Sequence, residues 1–283
     1  MNIIKNFLNS FKTFQNRNRY YDYILENDIE TNNKIRSSND ELSINGYIVF
    51  KKFLSKEIID QINSIYSNNN LIDFDILYKI LSYFDQYFQK TLNNYLGKEI
   101  MLCSLSLMDN SKEKAIESIS NSWHTDNLGH KLNMLVCIEG DGKIPTFYLP
   151  GTHRNLYKPK LFEEFRVFKK NLKKIENSIS INHETADCSI LDSNGKHRGY
   201  YEGNDSLRKL LLLDFIKIDK FKKLSYKNTE LINKAKAPFR IKKDTFNDNK
   251  IVPEDVYKNL MNISFICKEN FYEKNGKYYC LFI

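Results

Sequence analysis

A tetrapeptide near the middle of the chain, Trp123-His124-Thr125-Asp126, carries the residue types best suited to chemistry. His124 and Asp126 stand two positions apart, so on a β-strand both side chains leave the same face. His197 offers a second imidazole far downstream. Two imidazoles and one carboxylate, with coordination positions left over, form the facial triad of non-haem Fe(II) oxygenases. The sequence therefore predicts a metal site at these three residues.

Arg208 is the fourth candidate, and it follows His197 on what the pattern predicts as the next strand, 207–218. A guanidinium there could hold the far carboxylate of a keto acid whose near end chelates the metal. Each feature alone has an ordinary explanation: a chance HxD triplet, a surface histidine in a turn, a surface charge in a sheet. Their joint order and spacing favour the functional interpretation.

Three further histidines compete as metal ligands, namely His130, His153 and His183. His153 closes the turn Pro150-Gly-Thr-His153, and we expect it to hold that turn by hydrogen bonding. His130 and His183 lie in polar loops, where exposure is the expected state.

The bulk properties limit the possible classes of protein. The 283 residues suffice for one large domain, or for a core domain with added elements. No apolar run reaches about 18 residues, so no transmembrane segment is expected. The apolar residues of the N-terminus are interrupted by Lys5, Asn6 and Asn9, which is untypical of a signal peptide and makes a cytoplasmic location the expectation. Five cysteines without a CxxC motif argue against disulfides and zinc, and indicate core thiols in a reducing compartment.

The net charge of +8 has two interpretations. It could favour anionic partners such as phosphorylated or CoA-linked substrates, nucleic acid or a membrane surface. However, the lysines are spread along the chain and accompany abundant Asn, Ile, Tyr and Phe, as an AT-rich genome would produce. Nucleic-acid binding is therefore not expected. The sequence favours no oligomeric state.

The pattern divides the chain into three parts. Residues 1–41 form an N-terminal arm, in which Ile3, Ile4, Phe7, Leu8 and Phe11 have helical spacing. That helix would pack on the core or, alternatively, lie on a membrane surface, and residues 15–40 read as a polar, irregular linker with at most one helical stretch. Residues 42–220 form the main domain. Residues 221–283 form an extension that packs on the core, with Pro253 as the first residue of a helix and Asn275-Gly276 as a hairpin turn.

The main domain begins with a strand at 46–50, a helix at 55–66 and a helix at 74–96. Both helices would cover one side of a sheet. Apolar runs that predict strands follow at 100–108, 132–138, 145–149, 188–191 and 207–218. Many strands joined by short turns indicate a sandwich or a small barrel. A basic, helix-like insert at 156–175 would cap the barrel or border its mouth.

Four segments, in this order, resemble one family: 46–55 with its Gly-Tyr-Ile-Val-Phe strand, Trp123–Asn127, Pro145–Arg154 with its Pro-Gly-Thr-His turn, and His197–Gly199 continuing through Ser206 to Arg208 and Phe215. The chain resembles the phytanoyl-CoA dioxygenase family of Fe(II)- and 2-oxoglutarate-dependent oxygenases. The likeness covers about residues 42–218. It implies an α+β fold with a mainly β core, a double-stranded β-helix (a cupin-like jelly roll) with helices packed on one sheet.

The resemblance also implies an activity. His124, Asp126 and His197 would bind iron, and Arg208 would pair with the C5 carboxylate of 2-oxoglutarate. The expected reaction uses O2 and hydroxylates an aliphatic C–H bond of a small or carrier-linked metabolite, with succinate and CO2 as co-products and ascorbate as a stimulant. Two rival classes stay open: an oxygenase acting on a glycan or peptide, and a non-catalytic cupin-like protein that binds a metal or ligand.

Two positions bear on the details of this resemblance. Family members often carry Ser or Thr two residues after the distal histidine, where this chain has Gly199. Ser206, two before Arg208, would compensate if it faces the same way. Related halogenases have a small residue in place of Asp126, so the aspartate favours hydroxylation or a similar oxidation.

Three residues near the HxD triplet are weaker candidates. Trp123 could stack on a substrate, although core packing or support of His124 is favoured because it points to the opposite strand face. Asn127 would border the mouth and contact the substrate. Lys131 could touch the carboxylate of a cosubstrate or an anionic substrate, although a solvated lysine is the favoured expectation. The basic insert supplies Lys158, Lys160, Arg166, Lys169 and Lys170, which could favour an anionic substrate.

Overall fold

Two antiparallel sheets pack against each other in the computed structural model, which describes residues 2–65, 72–109, 122–126, 128–158, 176–199, 207–224 and 250–283. The larger sheet has strand order β1-β6-β3-β8-β2, where β1 is Tyr47–Phe50, β2 Ile100–Asp109, β3 Leu132–Gly140, β6 Cys188–Asp192 and β8 Arg208–Lys217. The smaller sheet has order β5-β4-β7, where β4 is Thr146–Tyr148, β5 Ile179–Ile181 and β7 His197–Gly199. An isolated bridge between His124 and His197 adds one more chain segment beside β7.

The path of the chain between these sheets defines the fold. It passes from β2 in the larger sheet to the His124 segment beside β7, then to β3 in the larger sheet and to β4 and β5 in the smaller one. It returns to the larger sheet with β6, crosses with β7 and returns with β8. This repeated crossing between two antiparallel sheets is the double-stranded β-helix, or jelly roll. The predicted fold is confirmed.

The larger sheet separates two hydrophobic clusters, because side chains alternate between the faces of a strand. On β8, Leu211, Leu213 and Phe215 join the large cluster that also includes the apolar residues of the helices. Leu210 joins a smaller cluster between the two sheets, which includes Leu135, Cys137, Tyr148, Ile181 and Leu191. Arg208 and Asp214 share strand parity with Leu210, so they belong to the face turned toward the smaller sheet.

The helices that cover the larger sheet lie where the sequence predicts them. Helix α4 spans Lys56–Ser64, and its N-cap Ser55 accepts a hydrogen bond from the Ile58 amide. Helix α5 spans Phe74–Leu96, and its N-cap Asp73 accepts hydrogen bonds from the amides of Asp75 and Ile76. Both caps satisfy N–H groups that a helix leaves without an intrahelical partner.

The N-terminal arm is helical through most of its length, so the prediction of an irregular linker at 15–40 is wrong. Helix α1 spans Asn2–Leu25, a 3₁₀ turn spans Glu26–Asp28, α2 spans Ile29–Ser37 and α3 spans Glu41–Asn45. Tyr20, Tyr21 and Ile24 are fully buried and pack with Met101 and Ile216 of the larger sheet. The polar composition of the arm gives no clear sign of this buried helix face, because only a few apolar residues per turn are needed to anchor a helix.

The C-terminal part begins with α6 (Ile218–Leu224) and resumes with β9 (Ile251–Val252) and α7 (Glu254–Leu260). Pro253 is the N-cap of α7, whereas the sequence predicts it as the first residue of the helix. The predicted hairpin is confirmed: β10 (Phe271–Lys274) and β11 (Lys277–Cys280) join through Asn275 and Gly276, with φ of 53° and 72°. Apolar residues of this part join the cluster on the helical side of the larger sheet.

All five cysteines are free thiols, as the sequence predicts. Among the helices within the described ranges, none is long and apolar enough to cross a membrane. The basic insert predicted at 156–175 lies outside the described residues from position 159 onward.

Candidate metal centre

Backbone hydrogen bonds bring the two predicted histidine ligands together. His124 and His197 each donate an amide hydrogen bond to the other's carbonyl oxygen, both with an N–O distance of 2.9 Å. The Asp126 amide donates to the Ser193 carbonyl at 3.1 Å. The segment that holds the HxD triplet is therefore fixed against the start of β7 and the turn before it, although the sequence separates them widely.

The three side chains converge as a metal site requires. Asp126 Oδ1 lies 3.1 Å from His124 Nε2 and 3.5 Å from His197 Nε2. The three candidate ligand atoms all lie within 4.8 Å of one another. Ligand atoms about 2.1 Å from a metal and at right angles to each other lie about 3 Å apart. The arrangement thus fits three protein ligands on one face of an octahedron.

The other ring nitrogens are held by backbone carbonyls. His124 Nδ1 lies 2.6 Å from the Ser122 carbonyl oxygen, and His197 Nδ1 lies 2.9 Å from the Gly195 carbonyl oxygen. A carbonyl only accepts hydrogen bonds, so in each ring Nδ1 must carry the proton. In the neutral form, the Nε2 lone pair is then left for a metal, with the ring orientation fixed from behind.

The carboxylate of Asp126 is oriented from its other side. Its Oδ2 accepts a hydrogen bond from Asn133 Nδ2 at 3.1 Å and lies 3.9 Å from Lys131 Nζ. Burial alone would raise the pKa of Asp126, but His197, His124 and Lys131 hold this pKa well below its ordinary value. The same attraction raises the pKa of His197 against the opposing effect of burial. Asp126 is therefore an anion that presents Oδ1 to the two imidazoles.

Lys131 is not a solvated lysine, and that expectation is wrong. Its side chain is 11% exposed, and Nζ lies 2.9 Å from Asp214 Oδ2. Burial would lower the pKa of Lys131, but Asp214 and Asp126 raise it above the ordinary value. Burial raises the pKa of Asp214, although Lys131 opposes this effect. Lys131 thus bridges the candidate ligand Asp126 and a second buried carboxylate.

Arg208 lies on the face of β8 turned toward the smaller sheet and is 5% exposed. Its Nη1 donates to the Ile144 carbonyl and to Thr146 Oγ1, both at 3.0 Å. Thr146 stands two positions along β4 from Tyr148, the register partner of His197. Because two residues of a strand span about 7 Å, Thr146 lies about that distance along β4 from Tyr148. Burial lowers the pKa of Arg208 to about 10.

The weaker candidates have different outcomes. Trp123 is fully buried, which agrees with core packing rather than with stacking on a substrate. Asn127 and Ser206 lie outside the described residues. Gly199, the departure from the family pattern, ends β7 and pairs with Thr146.

The three competing histidines lie apart from the candidate ligands. The prediction that His130 and His183 are exposed is wrong, because both are buried. His130 contacts Asp192 and Asn32, and His183 Nε2 lies 2.7 Å from Ser189 Oγ. His153 does form a hydrogen bond, but its Nε2 contacts the Ser43 carbonyl at 3.0 Å and so connects its turn to helix α3. Polar partners make these burials possible; those of His130 and His153 are distant in sequence, whereas Ser189 is only six positions from His183.

The sequence analysis missed two residues that support the site, Asn133 and Asp214. They are register partners on β3 and β8, and both lie within otherwise apolar runs. A polar residue in a run that predicts a buried strand was the available signal, because such a residue needs a partner in the core. Tyr148 was also missed: its ring stacks on His197 with centroids 6.5 Å apart and an interplanar angle of 17°.

The fold and these side chains define a class: a jelly-roll protein with a two-histidine, one-carboxylate site between its sheets. The sequence matches no known protein family and no curated protein. Among solved structures, it is similar to the epimerase SnoN in complex with Fe3+, alpha ketoglutarate and nogalamycin RO (12% identity, TM-score 0.46, 66% of this chain and 84% of that chain). It is similar to EctD from S. alaskensis in its apoform (14% identity, TM-score 0.49, 63% of this chain and 75% of that chain). It is also similar to HygX from Streptomyces hygroscopicus with nickel and 2-oxoglutarate bound (9% identity, TM-score 0.47, 62% of this chain and 85% of that chain).

Proposed function

We propose that the protein is an Fe(II)- and 2-oxoglutarate-dependent oxygenase that hydroxylates an aliphatic C–H bond of a small or carrier-linked metabolite. The observation that carries this proposal is the convergence of His124, Asp126 and His197, with Asp126 Oδ1 within 3.5 Å of both Nε2 atoms. Three ligands on one face leave the remaining positions for a cosubstrate and for O2. Bound iron would supply the oxidising chemistry, with 2-oxoglutarate as the source of the electrons that O2 also requires.

The residues of the chain would have separate roles around the metal. His124 and His197 bind through Nε2, and the carbonyls of Ser122 and Gly195 keep each ring in the required tautomer. Asn133 holds Asp126 Oδ2, so that Oδ1 remains directed at the imidazoles. These contacts fix the geometry of the ligands, which a metal site needs in order to stay selective and reactive.

Arg208 is the residue we assign to the far carboxylate of 2-oxoglutarate. Its guanidinium contacts Thr146, about 7 Å along the strand from the residue paired with His197. That gap is on the order of the length of a five-carbon keto diacid. An arginine can bind a carboxylate through two parallel hydrogen bonds, which would fix the orientation as well as the charge. Ser206 and Lys131 remain secondary candidates for the same cosubstrate.

Hydroxylation is the preferred outcome because the chain supplies a carboxylate at position 126. A small residue there would open a coordination position to halide, whereas Asp126 occupies it and is held as an anion by its neighbours. Asn127 remains a secondary candidate for contact with the substrate, whereas the burial of Trp123 favours core packing.

An anionic substrate is a finer proposal that depends on the basic insert. Within the described part, Lys158 Nζ pairs with Asp22 at 2.6 Å, so this lysine is already engaged. The remaining cations, including Lys169 and Lys170, would border the mouth. Charge reversal of both, Lys169→Glu with Lys170→Glu, should raise the KM for an anionic substrate and leave the 2-oxoglutarate requirement unchanged. An unaltered KM would remove the anionic preference.

Two rival functions make different predictions. A non-catalytic metal- or ligand-binding cupin would bind Fe(II) and yet form no succinate with any candidate substrate. An oxygenase for a glycan or peptide would turn over 2-oxoglutarate only with the macromolecule. The candidate ligand triad together with Arg208 favours catalysis, because metal binding alone does not require a buried cation whose partner Thr146 stands two residues along β4 from the register partner of His197.

The decisive assay measures succinate formed from 2-oxoglutarate in the presence of Fe(II), O2 and ascorbate, with and without a screen of small and carrier-linked substrates. Wild-type protein should form succinate, and Asp126→Ala should form none. Asp85→Ala is the matched control: Asp85 is also partly buried and hydrogen-bonded, to Ser264 on the helical side of the sheet. Equal succinate formation by Asp126→Ala and wild type would refute the proposal.

A further inference from the structure

The turn between β6 and β7 supports two of the candidate metal ligands. It consists of residues 192–195, and all four are buried. The Ser193 carbonyl accepts the Asp126 amide at 3.1 Å, and the Gly195 carbonyl accepts His197 Nδ1 at 2.9 Å. Any shift of this turn would therefore move a carboxylate ligand and an imidazole ligand together.

Asp192 fixes the conformation of the turn from within. Its Oδ1 accepts the Asn194 amide at 2.9 Å, and its carbonyl oxygen accepts the Gly195 amide at 2.9 Å. The same carbonyl accepts the hydroxyl of Tyr148 at 2.8 Å. A buried carboxylate with donors at both oxygens holds a defined position, because each lost bond would leave a buried polar atom unsatisfied.

The second oxygen of Asp192 connects the turn to the N-terminal arm. Oδ2 accepts the hydroxyl of Tyr95 at 2.7 Å and lies 2.5 Å from His130 Nδ1. The opposite nitrogen of that ring, Nε2, lies 3.1 Å from Asn32 Oδ1, on helix α2 of the arm. His130, Asn32 and Asp192 are each at most 7% exposed, so this chain of contacts is shielded from water.

A second buried contact fixes the arm at the same place. Lys220 Nζ donates to Asp28 Oδ2 at 2.6 Å and to the His130 carbonyl at 2.9 Å, and both charged side chains are 0% exposed. Gly129 lies against the arm with φ of +69°, and a Cβ there would collide with the Asp28 carboxylate. The arm therefore holds the backbone of His130 as well as its ring.

We propose that Asn32, His130 and Asp192 are positioning residues of the metal centre, through which the N-terminal arm sets the geometry of Asp126 and His197. The proposal rests on the proposed function, since it assumes that these ligands bind a metal. It adds a role for the arm, which touches none of the three ligands in the contacts described above. Removing a contact made directly to a metal ligand changes metal affinity by about 10- to 100-fold, and we expect the low end of that range for these residues, which act through the turn 192–195.

The test compares three variants of buried asparagines in anaerobic titrations with Fe(II), and with Co(II), whose visible bands report ligand geometry. Asn32→Leu keeps the shape but removes the acceptor for His130, and should weaken metal binding at least tenfold and alter the Co(II) bands. Asn32→Asp keeps an acceptor oxygen and should restore both. Asn270→Leu is the control, since Asn270 is 1% exposed and donates to the Leu102 carbonyl on the edge strand β2. It should leave the affinity and the Co(II) bands of the folded protein unchanged.

The outcomes separate this inference from the proposed function. If wild-type protein binds neither metal, the proposed function fails. If wild type binds and Asn32→Leu binds with the same affinity and bands, the positioning role is refuted. It is also refuted if Asn270→Leu weakens binding as much, because the effect would then be general destabilisation. If Asn32→Leu does not fold, His130→Gln, which leaves the arm intact, must show the same weakened binding and altered bands.

Discussion

The two ends of the space between the sheets differ in the groups that surround their buried charges. At the metal end, charges face opposite charges: Asp126 lies among His124, His197 and Lys131, and Lys131 pairs with Asp214. The pKa values of Asp126 and Lys131 move toward the charged forms despite burial, down for Asp126 and up for Lys131, whereas burial raises the pKa of Asp214. At the other end, Arg208 bonds neutral oxygens of Ile144 and Thr146, and burial lowers its pKa to about 10.

This difference indicates what each end can bind. The metal end offers one anionic oxygen and two imidazole nitrogens in a fixed arrangement, which suits a divalent cation. The Arg208 end offers a desolvated guanidinium, a group that can bind a carboxylate through two parallel hydrogen bonds. A keto diacid that chelates a metal at one end and carries a carboxylate at the other matches both.

The largest expected effect tests the metal end. Asp126→Ala removes the anionic ligand and the acceptor of Asn133 Nδ2, so Fe(II) binding and succinate formation should both be lost. Anaerobic Fe(II) titration and a succinate assay measure the two effects separately. Succinate formation at the wild-type rate would contradict the assignment of Asp126 as a ligand.

Lys131→Met tests whether the buried ion pair between Lys131 and Asp214 stabilises the folded protein. Removing the lysine leaves Asp214 buried without its cation, and breaking a buried pair costs about 3–5 kcal/mol. Urea unfolding should show that loss of stability. The 2-oxoglutarate requirement of the folded enzyme should change far less than in Arg208→Ala; a larger change would transfer the carboxylate-binding role to Lys131.

Arg208→Ala tests the other end. Truncating one partner of a buried charge pair costs about 2–5 kcal/mol, so the 2-oxoglutarate requirement should rise about a hundredfold or more. Fe(II) affinity without 2-oxoglutarate should stay unchanged, because Arg208 is not a ligand. Lys209→Ala, the next residue on β8, is the matched control. An unchanged requirement in Arg208→Ala would show that another cation holds the cosubstrate.

Asp187 gives a smaller, pH-dependent effect at the Arg208 end of the larger sheet. Its carboxylate accepts Lys51 Nζ and the Glu184 amide at 2.8 Å and the Lys52 amide at 3.0 Å. Burial would raise the pKa of Asp187, but these donors lower it below its ordinary value. The stabilisation is therefore complete above the unfolded-state pKa of about 4 and is lost as the pH falls through the lower folded-state pKa.

Asp187→Asn should accordingly reduce the free energy of unfolding by about 1–3 kcal/mol at pH 7. The difference between variant and wild type should shrink as the pH drops below about 4. Urea unfolding at several pH values measures this. A difference that stays constant down to strongly acidic pH would show that the charge of Asp187 contributes nothing.

The sequence predicts the candidate pair His124 and Asp126 because its chemistry lies in local spacing and residue type, and it predicts His197 from residue type and order along the chain. His124 and Asp126 stand two positions apart, although the structure gives this segment only an isolated bridge at His124 and not a strand. The alternating and helical patterns predict β1 to β4, β6, β8, α4 and α5 with small differences at the ends, whereas they do not predict β5 and β7 of the smaller sheet. The hairpin at Asn275-Gly276 is likewise local, since both positions must adopt positive φ.

The same patterns fail where burial depends on a distant partner. His130 and Lys131 look like exposed loop residues, yet their partners Asp192 and Asp214 lie 62 and 83 positions away. The arm looks like a linker because its buried face is narrow and its polar residues reach partners in other elements, as Asn32 does. Only the folded chain shows which polar side chains are paired in the core.

The most direct measurement is an anaerobic titration of Fe(II)-loaded protein with 2-oxoglutarate, followed by the weak visible charge-transfer band of the chelate. The proposed site predicts a saturable band in the wild type, no band in Asp126→Ala, and a band that requires about a hundredfold or more 2-oxoglutarate in Arg208→Ala. Wild-type protein that binds Fe(II) but develops no band at saturating 2-oxoglutarate would contradict the oxygenase assignment.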